Sequence, residues 1–370
     1  MLLRDHFSPK DPKASSLLCA IMDRYFIRMS VKIDPDKPNF EETQWIISED
    51  VNVEHLLDVF TAIDPNSDRI WEACANFVQH LFWHKNRLVI LTPKIEGLPE
   101  DHRFKPECLS WLSRLSYALG NHAECKRLGS HALKLQRERG DLQTVAESLR
   151  VLANANRWMD LPEEGIQQAK EALEICERLG DRVEQAQSLV ILSVLLYSDN
   201  QLSAAEEAAS RATALLQETG QRYWVCESHQ VLGWIYRSKG KTKKAIHHFE
   251  VAIGIASSFN WHESLFWFNY DLARLFLEDG RFDDAQAHIE RSKSHATNNA
   301  YFLGCATELQ AVAWRCQDRL EDARTEALRA ADIYNKLGAA KRAEGCRELL
   351  QEIEKELDSS VASASNCELL

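Results

Sequence analysis

Gly240, Lys241 and Thr242 form a triplet that could contact a phosphate group, because it matches the end of a nucleotide-binding P-loop. In such a loop, backbone N–H groups and the lysine hold the phosphates. A complete P-loop has another glycine five residues before Gly240, where this chain has Ile235, and it follows a β-strand. We therefore expect a turn between two helices here and no nucleotide site.

Two histidine pairs have the residue type that binds metal ions. His80 and His84 are spaced by one helical turn, but no glutamate follows His80 as the H-E-x-x-H zinc pattern requires. His247 and His248 are adjacent, so their rings point in different directions. The sequence offers no third ligand for either pair, and we expect neither a metal ion nor another cofactor.

Acidic pairs at Glu163-Glu164 and Asp283-Asp284 have the chemistry of general acid–base catalysis. Acids recur at the same helix-start position of successive repeats, where a carboxylate stabilises the positive end of a helix. Pro162 fits a first helical turn, and Ser203 three residues before Glu206 has the spacing of a capping box. Because no Ser/His/Asp or Cys/His arrangement can be assigned either, we predict that the protein is not an enzyme.

The cysteines indicate reduced thiols. The chain has ten cysteines and no C-x-x-C pair, and we expect free, buried thiols and a cytoplasmic location. The cysteines placed within helix patterns are Cys125, Cys176, Cys226, Cys305 and Cys316.

Cys367 begins the C-terminal sequence CELL, which fits the C-a-a-X format for prenylation. The first aliphatic position is Glu368, and no polybasic stretch or second acylation site accompanies it. We therefore expect a chance match and no membrane attachment unless Cys367 is prenylated.

A repeat of forty residues organises the elements that carry these side chains. Residues 230–252 contain Gly233, Tyr236, Gly240, Ala245 and Phe249 at offsets that recur along the chain. A leucine column reads Leu112, Leu152, Leu192, Leu232 and Leu272. Small-residue columns read Cys125, Gly165, Ala205, Ala245, Ala285 and Ala323, then Ala132, Ala172, Ala212, Ala252, Ser292 and Ala330. Breaks are expected at Gly120, Gly140, Asp160, Gly180, Asn200, Gly220, Gly240, Asn260, Gly280, Asp318 and Gly338.

This spacing resembles the tetratricopeptide repeat (TPR), in which two antiparallel helices meet through small residues and a tight glycine turn. Armadillo and HEAT repeats have a similar period, but the Leu-Gly-x-x-Tyr…Gly…Ala…Phe…Ala pattern of residues 232–252 favours the TPR. The resemblance implies an all-α fold: a right-handed TPR-like solenoid of about six helical hairpins with extra N-terminal helices.

The resemblance also implies a concave groove lined by the first helix of each hairpin. In this register, arginines and aromatic residues gather in one column, which suggests a protein or peptide partner with acidic groups. Arg150 with Asn154 is similar to the pair with which some family members hold a terminal carboxylate; the alternative is that the arginines pair with nearby acids such as Glu147, Glu227 and Glu278. The groove candidates are Arg114, Tyr117, Arg150, Asn154, Arg157, Trp158, Tyr197, Gln230, Trp234, Arg237, Trp267, Tyr270, Arg274 and Arg315.

The sequence divides into four predicted segments. Residues 1–45 form a helical segment that resembles the tail of a preceding domain, and residues 46–104 form a helical region outside the repeat. Residues 105–357 form the solenoid with a C-terminal capping helix, and residues 358–370 form a disordered tail. The segments before and within the repeats look like the C-terminal half of fungal signalling NTPases of the NACHT/NB-ARC (STAND) type, without their ATPase module.

Charge and hydropathy limit the function classes further. The net charge of −12 argues against nucleic acid and anionic membranes as partners, and no apolar run approaches the roughly 18 residues of a membrane span. We predict a non-catalytic scaffold that binds a partner peptide in the groove. The alternatives are a sensor or autoinhibitory module, as a short form or fragment of a STAND-type NTPase, and, more weakly, an enzyme with a site between repeats.

Overall fold

The computed structural model describes residues 64–84, 89–296 and 299–367, together with positions 54, 55, 57, 58, 61 and 62. The described residues contain helices and no β-strand, which confirms the all-α prediction. The predicted segment 1–45 lies outside the described residues. The chain divides into two compact units, Met1–Gln221 and Arg222–Leu370, and the division falls within the predicted solenoid. A solenoid allows such a division because each hairpin contacts only its neighbours.

In its described part, the first unit contains a 17-residue helix, a five-residue helix and three helical hairpins. The hairpins pair α3 with α4, α5 with α6, and α7 with α8, and successive hairpins pack together. The first of these hairpins begins at Lys105. The helices are α1 (Asp68–His84), α2 (Thr92–Glu96), α3 (Lys105–Ala118), α4 (His122–Arg139), α5 (Leu142–Trp158), α6 (Pro162–Leu179), α7 (Arg182–Ser198) and α8 (Leu202–Thr219).

The second unit contains three further hairpins and a long C-terminal helix. The hairpins pair α9 with α10, α11 with α12, and α13 with α14, and the last helix packs against α14. The helices are α9 (Arg222–Ser238), α10 (Thr242–Ser258), α11 (His262–Glu278), α12 (Phe282–His295), α13 (Ala300–Cys316), α14 (Leu320–Lys336) and α15 (Ala340–Cys367).

Every predicted break has a left-handed backbone conformation. Glycine occupies most of these positions because residues with a Cβ resist positive φ, and Asn and Asp tolerate it best among the others. Gly240 has φ +67° and ends the α9–α10 turn, so the Gly240-Lys241-Thr242 triplet is a helix connection. Positive φ occurs at Gly120, Gly140, Asp160, Gly180, Asn200, Gly220, Gly240, Asn260, Gly280, Asp318 and Gly338.

The predicted columns form the core of each hairpin. Leu152 and Leu192 in the first unit, and Leu232 and Leu272 in the second, are all at most 6% exposed. The small-residue columns are buried as well, which allows the two helices of a hairpin to approach closely. At Gly233 an added Cβ would lie 2.5 Å from the Phe249 ring, so the absence of a side chain there is a packing requirement.

The helix ends show where the sequence predictions hold and where they do not. Pro162 is in the first turn of α6, as predicted. The predicted capping box at Ser203 is wrong, because α8 begins at Leu202 with Gln201 as its N-cap. Ser203 therefore lies inside the first helical turn. Helix α15 continues to Cys367 through residues 358–366, which the sequence predicts to be disordered. The stretch contains neither glycine nor proline, so nothing in it ends a helix.

The cysteines in the described residues are free thiols. Burial confirms the prediction for Cys125, Cys176, Cys226 and Cys305. Cys316 is exposed, contrary to the prediction, because it lies at the last position of α13, where the helix surface is open. The side chain of Cys367 lies outside the described residues.

Candidate functional site

The predicted groove residues all lie on the first helix of a hairpin. Half belong to the first unit and half to the second, and the two sets differ in their surroundings. In the first unit α3 carries Arg114 and Tyr117, α5 carries Arg150, Asn154, Arg157 and Trp158, and α7 carries Tyr197. In the second unit α9 carries Gln230, Trp234 and Arg237, α11 carries Trp267, Tyr270 and Arg274, and α13 carries Arg315.

Two arginines of the first unit are neutralised by carboxylates of the next hairpin. The Arg114 guanidinium lies 2.7 Å from Glu147 and over the Trp111 ring. Arg150 is buried and forms an ion pair with Glu184. Its other terminal nitrogen faces the Cys176 sulfur. Since Arg150 has its own carboxylate partner, the clamp predicted for Arg150 and the half-buried Asn154 has no available cation, and we leave Arg150 out of the proposed site.

The end of α5 carries an exposed aromatic group. Trp158 is 56% exposed, and its indole N–H donates to the Tyr117 hydroxyl at 3.2 Å. The His122 ring stacks against Trp158 at 5.7 Å, and the Arg157 guanidinium lies 5.0 Å from its centroid. Arg157 also donates to the Ser198 hydroxyl at 3.2 Å. Trp158 therefore already makes a hydrogen bond, a stacking contact and a cation–π contact within the protein.

In the second unit, Gln230 and Trp234 face a buried carboxylate rather than solvent. Their side-chain N–H groups donate to Asp271 Oδ2 at 2.8 and 2.7 Å. Burial raises the pKa of Asp271 above its usual value, while the two hydrogen bonds oppose that change. The sequence gives no sign of this role for Asp271, because an acid in a helical run cannot be recognised as buried.

Other arginines of the second unit are paired. Arg237 lies 3.2 Å from Glu278, as the pairing alternative predicts. Arg315 forms ion pairs with Glu352 and Glu356 of α15. On the same face, the half-buried Trp267 contacts the Phe302 ring edge-on.

A cleft of about 380 Å³ opens between α11, α13 and α15. It contains two of the predicted groove residues, Tyr270 and Arg274, which are one helical turn apart. The other polar groups of the cleft come mainly from α13 and α15, whose registers relative to α11 cannot be read from the repeat pattern. The lining residues are Tyr270, Arg274, Leu277, Glu278, Glu308, Leu309, Val312, Cys316 and Arg342.

Arg274 is half-buried in this cleft. Its guanidinium lies 6.0 Å from the Tyr270 centroid, and it forms no ion pair or hydrogen bond with any residue that the structure describes. Tyr270 is buried, which raises the pKa of its hydroxyl well above the usual range and keeps it neutral. The cleft thus offers a cationic fork that can bind a carboxylate, beside an aromatic ring and aliphatic side chains.

The remaining candidates form no site. The Nδ1 atoms of His229 and His248 are 2.8 Å apart, and His247 meets His248 edge-on. Throughout the described ranges no three His, Cys, Asp or Glu side chains are placed to hold a metal ion. Nothing is described of the His80 and His84 side chains. The acidic pairs act at helix starts: Glu164 forms an ion pair with Lys126.

The comparisons with known proteins agree with this fold. The family model of the tetratricopeptide repeat matches residues 144–218. A Rap protein complexed with competence and sporulation factor is similar over 91% of this chain and 99% of its own, with a TM-score of 0.61 and 14% identity. The Rap conjugation gene regulator of plasmid pLS20, complexed with the Phr* peptide, covers 91% of this chain and 95% of its own, with a TM-score of 0.53 and 13% identity.

A third solved structure is a STAND protein with a tetratricopeptide repeat sensor from Pyrococcus horikoshii. It covers 93% of this chain, which spans 56% of that protein, with a TM-score of 0.54 and 16% identity. A search of the curated proteins finds no match. At these identities the likenesses show the fold, a TPR-like solenoid, and together with the repeat match they support a role in protein interactions. None of the helices in the described ranges is long and apolar enough to span a membrane.

Proposed function

We propose that this chain is a non-catalytic interaction module that binds an extended or helical segment of a partner protein in the cleft between α11, α13 and α15. The observation that carries the proposal is the half-buried Arg274 guanidinium, which forms no ion pair or hydrogen bond with a described residue and lines a cleft of about 380 Å³. Pockets that hold ligands have volumes of roughly 300–1,000 Å³, so this cleft has room for a short stretch of a peptide.

The charged groups of the first unit make its equivalent surface a poorer binding site. Arg114 and Arg150 already have carboxylate partners, and a ligand would have to displace them. A buried ion pair that loses one partner leaves an uncompensated charge, which is strongly unfavourable. Binding at Arg274 requires no such exchange. The fold is also shared with a Rap regulator that was solved with a peptide bound.

The test is a microarray of peptides with blocked ends, probed with the whole chain. We compare the wild type with Val312→Arg, which places a long charged side chain in the cleft. The matched control is Leu328→Arg, the same kind of change at a position of the same unit that is 52% exposed and outside the cleft. Thermal unfolding followed by circular dichroism checks that both variants are folded.

The proposal expects a set of peptides that bind the wild type and Leu328→Arg but lose binding to Val312→Arg. Two results contradict it: no peptide binds the wild type above background, or the bound peptides bind Val312→Arg equally well.

A second proposal is a sensor module of a STAND-type signalling NTPase. Its support is the architecture shared with the STAND sensor from Pyrococcus horikoshii, which is a likeness of fold. The test is to sequence the transcript upstream of the codon for Met1. An in-frame P-loop preceded by a strand pattern is the expected result, and an upstream stop codon with no such pattern contradicts it.

A further inference from the structure

Two arginines and two glutamates line the cleft, and both glutamates are engaged by groups other than Arg274. Glu278 forms its ion pair with Arg237 at 3.2 Å. Glu308 accepts a hydrogen bond from the Tyr334 hydroxyl at 2.8 Å and lies 3.5 Å from Arg342. Both carboxylates in the lining therefore have partners, and Arg274 is left as the cation without one in the described residues.

The spacing of ion pairs along the chain shows which carboxylate could have paired with Arg274. In the first unit, Arg114 pairs with the acid 33 residues further along, and Arg150 with the acid 34 residues further along. The residue 34 positions beyond Arg274 is Glu308. Tyr334 of α14 and Arg342 of α15 engage that carboxylate instead, so it does not pair with Arg274.

Aliphatic side chains form the remainder of the cleft. Leu277 and Leu309 are at most 9% exposed, and Val312 is half-buried. They lie along one side of α11 and one side of α13, next to the polar groups. An aliphatic side chain of a ligand that packs on them is removed from water, while a polar one would lose its hydration without gaining hydrogen bonds.

We infer that the cleft selects a protein segment in which a carboxylate lies beside an aliphatic side chain. This inference rests on the proposed function and specifies the ligand of the same site. The Arg274 guanidinium donates two parallel N–H bonds to the carboxylate oxygens, in place of the Glu308 carboxylate that Tyr334 and Arg342 hold away. The aliphatic side chain packs on Leu277, Leu309 and Val312.

The experiment measures fluorescence anisotropy of labelled heptapeptides with the whole chain. Four peptides with blocked ends have Glu-Leu, Gln-Leu, Glu-Gln or Lys-Leu at the centre of a Gly/Ser frame. A fifth has no acidic side chain and ends in a free C-terminal leucine, which separates a chain-end carboxylate from a side-chain carboxylate. We expect the Glu-Leu peptide to bind at least about tenfold more tightly than Gln-Leu, because hydrogen bonds to charged groups are the strong ones.

Three variants assign the effect to Arg274. Arg274→Gln should reduce the preference for a carboxylate over an amide to about one, and Arg274→Lys should retain part of it, because it keeps the charge but loses the planar fork. The matched control is Arg324→Gln, since Arg324 is an arginine of the same unit whose ion pairs are long, 3.9 Å, and exposed. This control should leave the preference unchanged.

The outcomes separate the inference from the proposed function. If peptides on the microarray bind in the cleft but the anisotropy shows no preference for a carboxylate, or a preference for Lys-Leu, the inference is wrong and the interaction role stands. A carboxylate preference that survives Arg274→Gln also overturns the inference. If no peptide binds in either experiment, the proposed function itself fails.

Discussion

Ion-paired arginines occur on the first helices of the hairpins in both units, and the second unit also holds Arg274, which forms no ion pair with any described residue. In the first unit, carboxylates of the next hairpin neutralise Arg114 and Arg150. In the second unit, α9 presents Gln230 and Trp234 to a buried carboxylate, Asp271, and Arg237 pairs with Glu278. Arg274 on α11 forms no ion pair or hydrogen bond with a described residue. An arginine column in a repeat sequence therefore does not define a binding surface. The decisive property is whether the next hairpin supplies a carboxylate in reach.

The largest effect should come from opening the buried ion pair of the first unit. We expect Glu184→Ala to lower the free energy of unfolding by about 3 kcal/mol, because the Arg150 side chain, 8% exposed, loses its counterion. Urea unfolding followed by circular dichroism measures it. The matched control is Glu218→Ala, which breaks the exposed pair with Arg182 and should cost at most about 1 kcal/mol. Equal costs for the two variants would show that Arg150 is not held by Glu184.

A second prediction concerns helix packing, where the units also differ. The positions equivalent to Gly233 and Phe249 hold Ala153 and Ala169 in the first unit. Gly233→Ala should destabilise the protein by about 1–2 kcal/mol, because the overlap with the Phe249 ring outweighs the better helix propensity of alanine. A double-mutant cycle with Phe249→Leu should show that the smaller side chain relieves the overlap. Additive costs would contradict this close contact.

A third prediction separates stability from binding. Arg274→Gln should weaken binding of the Glu-Leu peptide about tenfold and leave the unfolding free energy nearly unchanged. Arg114→Gln should lower the unfolding free energy and leave peptide binding nearly unchanged, because Arg114 neutralises the half-buried Glu147. Anisotropy and urea unfolding of both variants check it. If Arg114→Gln weakened the same peptide as strongly, the comparison between the two units would be wrong.

The pH dependence provides a smaller test on the second unit. Burial, with neighbouring cationic groups, lowers the pKa of His248 and of His288 to about 4, and burial also lowers that of His229. Their pKa values in the unfolded chain are near 6.5, so below that pH the unfolded state takes up protons that the folded state does not. These histidines therefore leave the free energy of unfolding unaffected above about pH 6.5 and lower it progressively as the pH falls towards 4.

The packing around His229 and His248 makes this effect assignable. Their Nδ1 atoms are 2.8 Å apart, so one must be unprotonated to accept the hydrogen bond, and Lys244 and His247 add positive charge nearby. His248→Gln should flatten the fall in thermal stability between pH 7 and pH 4.5. His131→Gln, at a partly exposed site beside Glu100, serves as the control. An unchanged slope in His248→Gln would show that this pair does not contribute.

The smallest predicted effect tests how Arg274 is kept available. Tyr334→Phe removes the hydroxyl that donates to Glu308 at 2.8 Å, which frees this carboxylate to approach Arg274. We expect binding of the Glu-Leu peptide to weaken a few-fold, about the value of one hydrogen bond. The same anisotropy assay measures it. Unchanged or tighter binding would contradict the role given to Tyr334.

Most of the fold could be predicted from sequence, because its determinants are local and repeat. Gly140 and Gly180 end helices by backbone geometry, and Leu152 and Leu192 face the core by helical periodicity. The pattern also selected Tyr270 and Arg274, which line the cleft. It gave no indication of Asp271 or Glu308, since acids on helix faces are common and their burial or pairing depends on the register between separate hairpins.

By itself, the sequence determined the hairpins, their turns and the column of arginines and aromatic residues. These properties follow from backbone conformation and from side-chain spacing within about forty residues. Only the tertiary structure decided which arginine is neutralised. That outcome depends on side chains that approach from other helices at distances of about 3 Å, and neither spacing nor composition encodes such distances. Glu147 reaches Arg114, whereas Tyr334 and Arg342 engage Glu308, so Glu308 does not pair with Arg274.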